Sequence, residues 1–210
     1  MPARGARART RRLMLDTATR MMQAGDTPSV TSVAEAAGVS RATAYRCFPS
    51  QAALVGAVVD EALGPILSWT PQSDDASERI TDLLELSLPR INEFEATFKA
   101  ALKLTLEQWA EQRSGAASSE PPFRRGHRVQ LLQHAIAPLN GVLTKPQFTR
   151  LARALSLVYG LEVLIVLKDL WGLKAREVQS VATWAGRALV NAALAEARDT
   201  KLSSISSRNR

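Results

Sequence analysis

The stretch Ser29-Val-Thr-Ser-Val-Ala-Glu-Ala-Ala-Gly-Val-Ser-Arg-Ala-Thr-Ala-Tyr-Arg-Cys-Phe-Pro-Ser-Gln-Ala-Ala-Leu54 decides how this chain is read. Ser29 offers a side-chain acceptor where a helix starts, Val30, Val33, Ala34 and Ala37 share one face of that helix, and Gly38 stops it. Val39 is then a lone apolar residue in a tight turn. Ser40 can cap a second short helix from Arg41 to Phe48, which Pro49-Ser50 ends. Two helices cross closely only over small residues, turn sharply only at glycine, and present polar or small side chains early on the second helix when that helix enters the major groove of DNA. Ala34 and Ala37, then Gly38, then Ser40-Arg41-Ala42-Thr43 meet these three demands.

Working outward, Met14, Ala18, Met21 and Met22 form the stripe of a preceding helix closed by Gly25. From Gln51 a following helix buries Leu54, Val55, Val58, Val59, Ala62 and Leu63 before Gly64-Pro65 ends or kinks it. Residues 2–12 are basic, small and without an apolar face, which predicts a flexible arm. Further helices are expected over about 75–88, ending near Pro89, then 91–113, 124–141 with Pro138 disturbing its last turn, 146–171 and 175–197. Residues 114–122 are small, polar and Pro-terminated, a disordered loop. No period-two alternation is bounded by turn residues. The expectation is an all-α protein of about nine helices, with an arm over 1–12, a three-helix helix-turn-helix head over 13–50, a helical body over 51–199 and a disordered tail over 200–210.

Composition narrows the function. The 210 residues carry a net charge of +7, and residues 1–56 alone hold eight Lys/Arg against three Asp/Glu. A basic N-terminal quarter without a Trp/Phe/Leu-rich face suits a polyanion, nucleic acid rather than a membrane surface. One cysteine and two histidines exclude an internal disulfide and a His/Cys zinc site, so no metal or other cofactor is expected. The most apolar stretch, Leu155 to Leu167, is 13 residues long and interrupted by Glu162, too short to cross a bilayer. The N-terminal arginines precede no apolar segment of a secretory leader, and a cytoplasmic protein is expected. A Gly-rich phosphate loop and an activated nucleophile are both missing, which argues against an enzyme.

The string Ala-Gly-Val-Ser-Arg-x-Thr-x-Tyr-Arg-x-Phe, residues 37 to 48, resembles the DNA-binding domain of the TetR family of bacterial repressors, and the resemblance extends over about residues 12–63. It implies a three-helix DNA-binding head, a helical body that binds a small molecule, and homodimerisation through the last two helices. Transferred to matching positions, Arg41, Ala42, Thr43, Tyr45 and Arg46 face the groove. Arg41 and Arg46 are long enough for bidentate contact with guanine, while Thr43 and Tyr45 suit phosphate. Ser29 and Ser40 cap helices whose amide ends face the backbone, and Thr31 lies on the exposed side. Gln51 stands where a phosphate-binding lysine is common in the family, so that contact loses its charge. Cys47 replaces a common aromatic or histidine and reads as a small, partly buried residue. Arg4, Arg7 and Arg9 of the arm can enter a narrow minor groove; a merely solvated tail is the plainer alternative.

In the body, Phe94, Phe98, Leu102, Thr105 and Trp109 fall along one helical face, and His127, Leu131 and His134 along another, as in an aromatic-lined pocket with a few polar groups. Tyr159 and Glu162 complete the candidate ligand set, Glu162 either lining the pocket or pairing with a base across a subunit interface. Residues 146–171 and 175–197 offer apolar side chains on more than one face, more than one monomer can hide, which favours a homodimer. The function expected is a ligand-responsive repressor released from a palindromic operator by a small hydrophobic or aromatic effector. The alternative is a helical small-molecule-binding protein whose helix-turn-helix reads no specific operator.

Overall fold

The computed structural model describes the backbone over residues 2–115, 121–123 and 126–208, and side chains over 5–115, 121–123 and 126–200. The α-helices are α1 (Pro2–Gln23), α2 (Val30–Ala36), α3 (Arg41–Cys47), α4 (Gln51–Leu63), α5 (Ala76–Glu93), α6 (Glu95–Arg113), α7 (His127–Ala135), α8 (Lys145–Leu155), α9 (Leu161–Leu164) and α10 (Ala175–Arg208). Short 3-10 turns follow α4 (Gly64–Ser68) and α7 (Ala137–Leu139), and a π-helical turn (Ile165–Leu170) continues α9. Among the described residues the one β feature is an isolated bridge between Asn140 and Leu143. The protein is all-α.

The chain forms two compact units, Met1–Gly64 with Glu93–Arg125, and Pro65–Asn92 with Gly126–Arg210. Thus α4 and α6, assigned by sequence to the body, belong to the unit that holds the head. In this first unit α1 packs against α2, α3, α4 and α6. Met14, Ala18, Met22, Val33, Ala34, Ala44, Leu54 and Val55 are completely buried there, joined by Ala100, Ala101 and Leu104 of α6. Burial of these side chains holds the head together, since α2 and α3, of 7 residues each, are too short to persist alone. The buried amide of Gln108 is satisfied: its oxygen accepts from the Phe123 N–H at 2.9 Å and its nitrogen donates to the Pro121 carbonyl at 3.3 Å.

In the second unit Ile80, Leu83, Leu84 and Leu88 of α5 are buried. Gly186 lets α10 approach closely, because a Cβ there would lie 2.8 Å from Ile80 Cγ2 and 3.0 Å from Leu84 Cδ1. The buried Ser87 and Tyr159 hydroxyls lie 3.2 Å apart, and burial raises the phenol above its ordinary range. A capping box starts α8: Thr144 N donates to Gln147 Oε1 at 2.9 Å, and Gln147 N to Thr144 Oγ1 at 3.4 Å.

Several sequence expectations are corrected here. Residues 2–12, expected as a flexible arm, form the opening turns of α1, and α10 runs to Arg208 where a disordered tail was expected from residue 200. Residues 116–120, the heart of the expected disordered loop, and 209–210 lie outside the described residues. Pro89 sits inside α5 rather than ending it, because Leu84, Leu88 and Ile91 are buried on either side and hold the helix together; the break falls at Phe94. The helix expected over 124–141 is α7 plus a 3-10 turn containing Pro138, and the one over 146–171 is interrupted before α9 at Gly160, whose φ of +104° suits glycine. Among the described residues, the stretch that is long and apolar enough to cross a membrane by length and composition is Gln51–Ser68, which the sequence reading had not singled out. Its Leu54, Val55 and Val58 are core residues of the first unit, and Gly64 at φ +46° closes α4 within it.

Candidate nucleic-acid interface

Local chemistry sets the shape of the head. Ser29, Ser40 and Ser50 are the N-caps of α2, α3 and α4, accepting from Ser32 N at 3.0 Å, Thr43 N at 3.4 Å and Ala53 N at 3.1 Å. Gly25 and Gly38 turn the chain at φ +93° and +65°. Pro49 pushes Phe48 into extended backbone, φ −137° and ψ 101°, so α3 ends there. Ala44 and Phe48, 0% and 2% exposed, face the core, and Cys47 is half-buried against it.

The opposite side of α3 is therefore outward. Arg41, Ala42, Tyr45 and Arg46 are exposed and Thr43 is half-buried at its edge. Both arginines are held within the head. The Arg41 guanidinium donates to Glu35 of α2 at 3.0 Å, while Arg46 folds along its own helix, donating to the Ala42 carbonyl at 3.1 Å and Thr43 Oγ1 at 3.2 Å. The Arg41–Glu35 pair is solvent-exposed on both sides, so it is worth at most about 1 kcal/mol and yields readily to a guanine edge or a phosphate. The Thr31 and Tyr45 hydroxyls lie 3.4 Å apart, which brings the exposed side of α2 to the reading face.

Two expected contacts fall elsewhere. Gln51 is half-buried and its amide donates to the Thr27 and Pro28 carbonyls, both at 3.2 Å, so it braces the entry to α2 instead of projecting toward a phosphate. Arg7, expected in a free arm, donates to the Arg46 carbonyl at 2.9 Å. Arg9 is exposed on α1, and the side chain of Arg4 lies outside the described residues. Glu35, the partner that orients Arg41, went unnoticed in the sequence, although an acid opposite the first arginine of a reading helix is a signal of such a restraint.

A small or polar outward face on a short helix, set by glycine and serine punctuation across a second helix, defines a helix-turn-helix DNA-binding protein. Residues 14–58 match the model for bacterial regulatory proteins of the tetR family. None of the curated proteins matches the chain. Residues 14–58 are thus a helix-turn-helix head of the tetR type.

The expected ligand residues divide between the two units. At the cap of α6 and along it, Phe94, Phe98, Leu102 and Thr105 are half-buried, Thr105 Oγ1 donates to the Ala101 carbonyl at 3.1 Å, and Trp109 is 61% exposed. In the second unit His127, Leu131 and His134 do come together, lining a cavity of about 200 Å³ with Leu67, Trp69 and Gln130. The Trp69 indole meets the His134 ring edge-on at 5.7 Å and donates to Asp82 at 2.6 Å. Tyr159 turns to Ser87, and Glu162 pairs with Arg128 of its own chain. Arg128 lies against Gly160, in the space a side chain there would fill. A second cavity of about 250 Å³ is lined by Leu88, Pro89, Asn92, Leu164, Ala175, Arg176, Val178 and Gln179, none of which the sequence had singled out as a ligand contact. Among the described residues no three His, Cys, Asp or Glu side chains are grouped as metal ligands would be.

Proposed function

We propose that this protein is a cytoplasmic, homodimeric repressor that holds a roughly palindromic operator and releases it on binding a small hydrophobic or aromatic effector. The observation that carries the reading is the outward face of α3, where Arg41, Ala42, Tyr45 and Arg46 stand exposed over a buried Ala44 and Phe48. Arginine at such positions reads guanine O6 and N7, and tyrosine and threonine hydroxyls fix register on phosphate.

The dimer is supported by the surface of the last helices. Leu157, Leu170, Trp171 and Trp184 are each more than 70% exposed, and Val166 and Val181 at least 40%. A single chain in water does not keep that much large apolar surface uncovered without a partner. The expected segments 146–171 and 175–197 supply these residues. Two reading helices related by a two-fold then meet successive major grooves, which makes the operator symmetric. The effector is supported by two of the cavities in the second unit, each walled by leucine with a few amide, imidazole or guanidinium groups. Release requires that the effector bind the operator-free conformation more tightly than the operator-bound one.

Transcription in vitro tests the reading. With a selected operator placed across a promoter, purified protein is expected to lower transcript yield several-fold, and no such effect is expected from a scrambled site. Equal yields from both templates, or a rise on the operator template, would contradict repression.

A further inference from the structure

The amino-terminal turns of α1 do something that neither the helix-turn-helix nor the charge of the head required. Pro49 has no N–H, so the Tyr45 carbonyl loses the donor a continuing helix would give it. The chain also turns away at Phe48, where φ is −137°, and Ser50 at φ −152° and ψ 163° is already the cap of α4, leaving the Arg46 carbonyl without its helical partner. That carbonyl is taken by Arg7, whose guanidinium donates to it at 2.9 Å across 39 positions of sequence. One turn later on the same helix, Arg11 lies over the ring of Phe48, 4.9 Å from its centroid. Phe48 is 2% exposed and anchors α3 in the core. A cation at the carboxyl end of a helix meets the negative end of the helix dipole, and a guanidinium over an aromatic face meets the negative face of the ring.

We propose that Arg7 and Arg11 are positioning residues for the reading helix: they clamp the carboxyl end of α3 onto α1 and fix the pose from which Arg41, Tyr45 and Arg46 meet DNA. The inference rests on the DNA-reading function above. It assigns Arg7 a target on the protein in place of the minor groove, and it makes the helical state of residues 2–12 part of operator recognition. Arg12, by contrast, pairs with Asp16 at 2.8 Å and Glu61 at 2.6 Å and ties α1 to α4.

The test uses the full chain with Arg7→Ala, Arg7→Lys and Arg11→Ala. Amide hydrogen exchange of the DNA-free protein is expected to rise about two- to fivefold at Arg46, Cys47 and Phe48 in Arg7→Ala, the range that a lost charge–dipole contact allows. Exchange at Leu83 to Leu88 in the second unit should stay unchanged, which separates a local clamp from general destabilisation. Operator affinity should fall by a similar factor, with non-specific affinity and the salt dependence of binding unaltered, and Arg7→Lys should recover most of it because an ammonium can donate to the same carbonyl. Unchanged exchange at α3 overturns the clamp. So does a parallel loss of operator and non-specific affinity with a log–log salt slope shallower by about 0.9, the signature of a lost phosphate contact. The exchange arm needs no DNA, so failure of the parent protein to bind any operator overturns only the function proposed above.

Discussion

Phe48→Ala is expected to unfold the reading head. Phe48 is 2% exposed, sits at the carboxyl end of α3, and packs with Met14, Ala18, Ala44, Leu54 and Val55 in one core cluster. Truncating a buried phenylalanine costs about 3–5 kcal/mol, the lost transfer free energy plus the cavity left behind. Here the ring also carries the Arg11 guanidinium, a contact worth about 0.5–1 kcal/mol at an exposed site. Against a total stability of about 5–15 kcal/mol for a whole domain, that loss is a large fraction. At about 2–4 °C per kcal/mol for a chain of this size, the unfolding midpoint should drop by roughly 6–20 °C. Phe48→Leu keeps most of the apolar volume and should cost far less. Differential scanning calorimetry checks this directly, and operator binding by Phe48→Ala should be lost at temperatures where Phe48→Leu still binds. A midpoint within 2 °C or so of the parent, on the same scale, would mean that the ring is not a keystone of the head.

The second large effect is on recognition. Arg41→Ala and Arg46→Ala each remove a side chain suited to bidentate guanine contact, worth about 1–3 kcal/mol, or about 5- to 150-fold in affinity per half-site. On a two-fold operator each substitution acts twice, so the free-energy loss doubles. Neither side chain is buried, and their partners in the free protein are the exposed Glu35, the Ala42 carbonyl and Thr43 Oγ1, so stability should move little. Binding to a mixed non-specific duplex should fall only through the lost charge. Fluorescence anisotropy with operator and scrambled duplexes, at one fixed salt concentration, separates the two effects. Equal loss on both duplexes would show that these arginines hold phosphates and leave sequence to other residues.

What the sequence made legible, and what it hid, follow from the range of the interactions concerned. The caps Ser29 and Ser40, the glycine turns at Gly25 and Gly38 and the stop at Pro49 act within four residues, so each could be read from its neighbours. The inward stripe of Met14, Ala18 and Met22 has a helical period and was read the same way. The Arg7 contact with the Arg46 carbonyl and the Arg128 pairing with Glu162 span 39 and 34 positions, and no local pattern announces them. Pro89 misled because a proline normally ends a helix, yet burial on both sides outweighs the one hydrogen bond it removes. The arm misled for the opposite reason: Pro-Ala-Arg-Gly-Ala-Arg lacks an apolar face, and the helix there is held through Arg7 and Arg11, whose partners lie on α3 and just beyond it.

The candidate site divides along the same line. Arg41, Ala42, Tyr45 and Arg46 share an outward face because Ala44 and Phe48 face inward, a consequence of helical period alone. Gln51 shares their neighbourhood in sequence but not their direction, since its amide meets the carbonyls of Thr27 and Pro28. The ligand residues were harder still. A stripe on one helix does not say which neighbouring helix faces it; of the ten expected residues, His127, Leu131 and His134 line a common cavity.

Selection of bound duplexes from a random DNA library tests the central claim most directly. A dimer that reads through α3 should enrich one sequence with dyad symmetry, its half-site centres about one helical turn, 34–36 Å, apart or a multiple of it, and guanines at the positions lost in Arg41→Ala and Arg46→Ala. Enrichment of no sequence, or of a site without a dyad, would contradict the account.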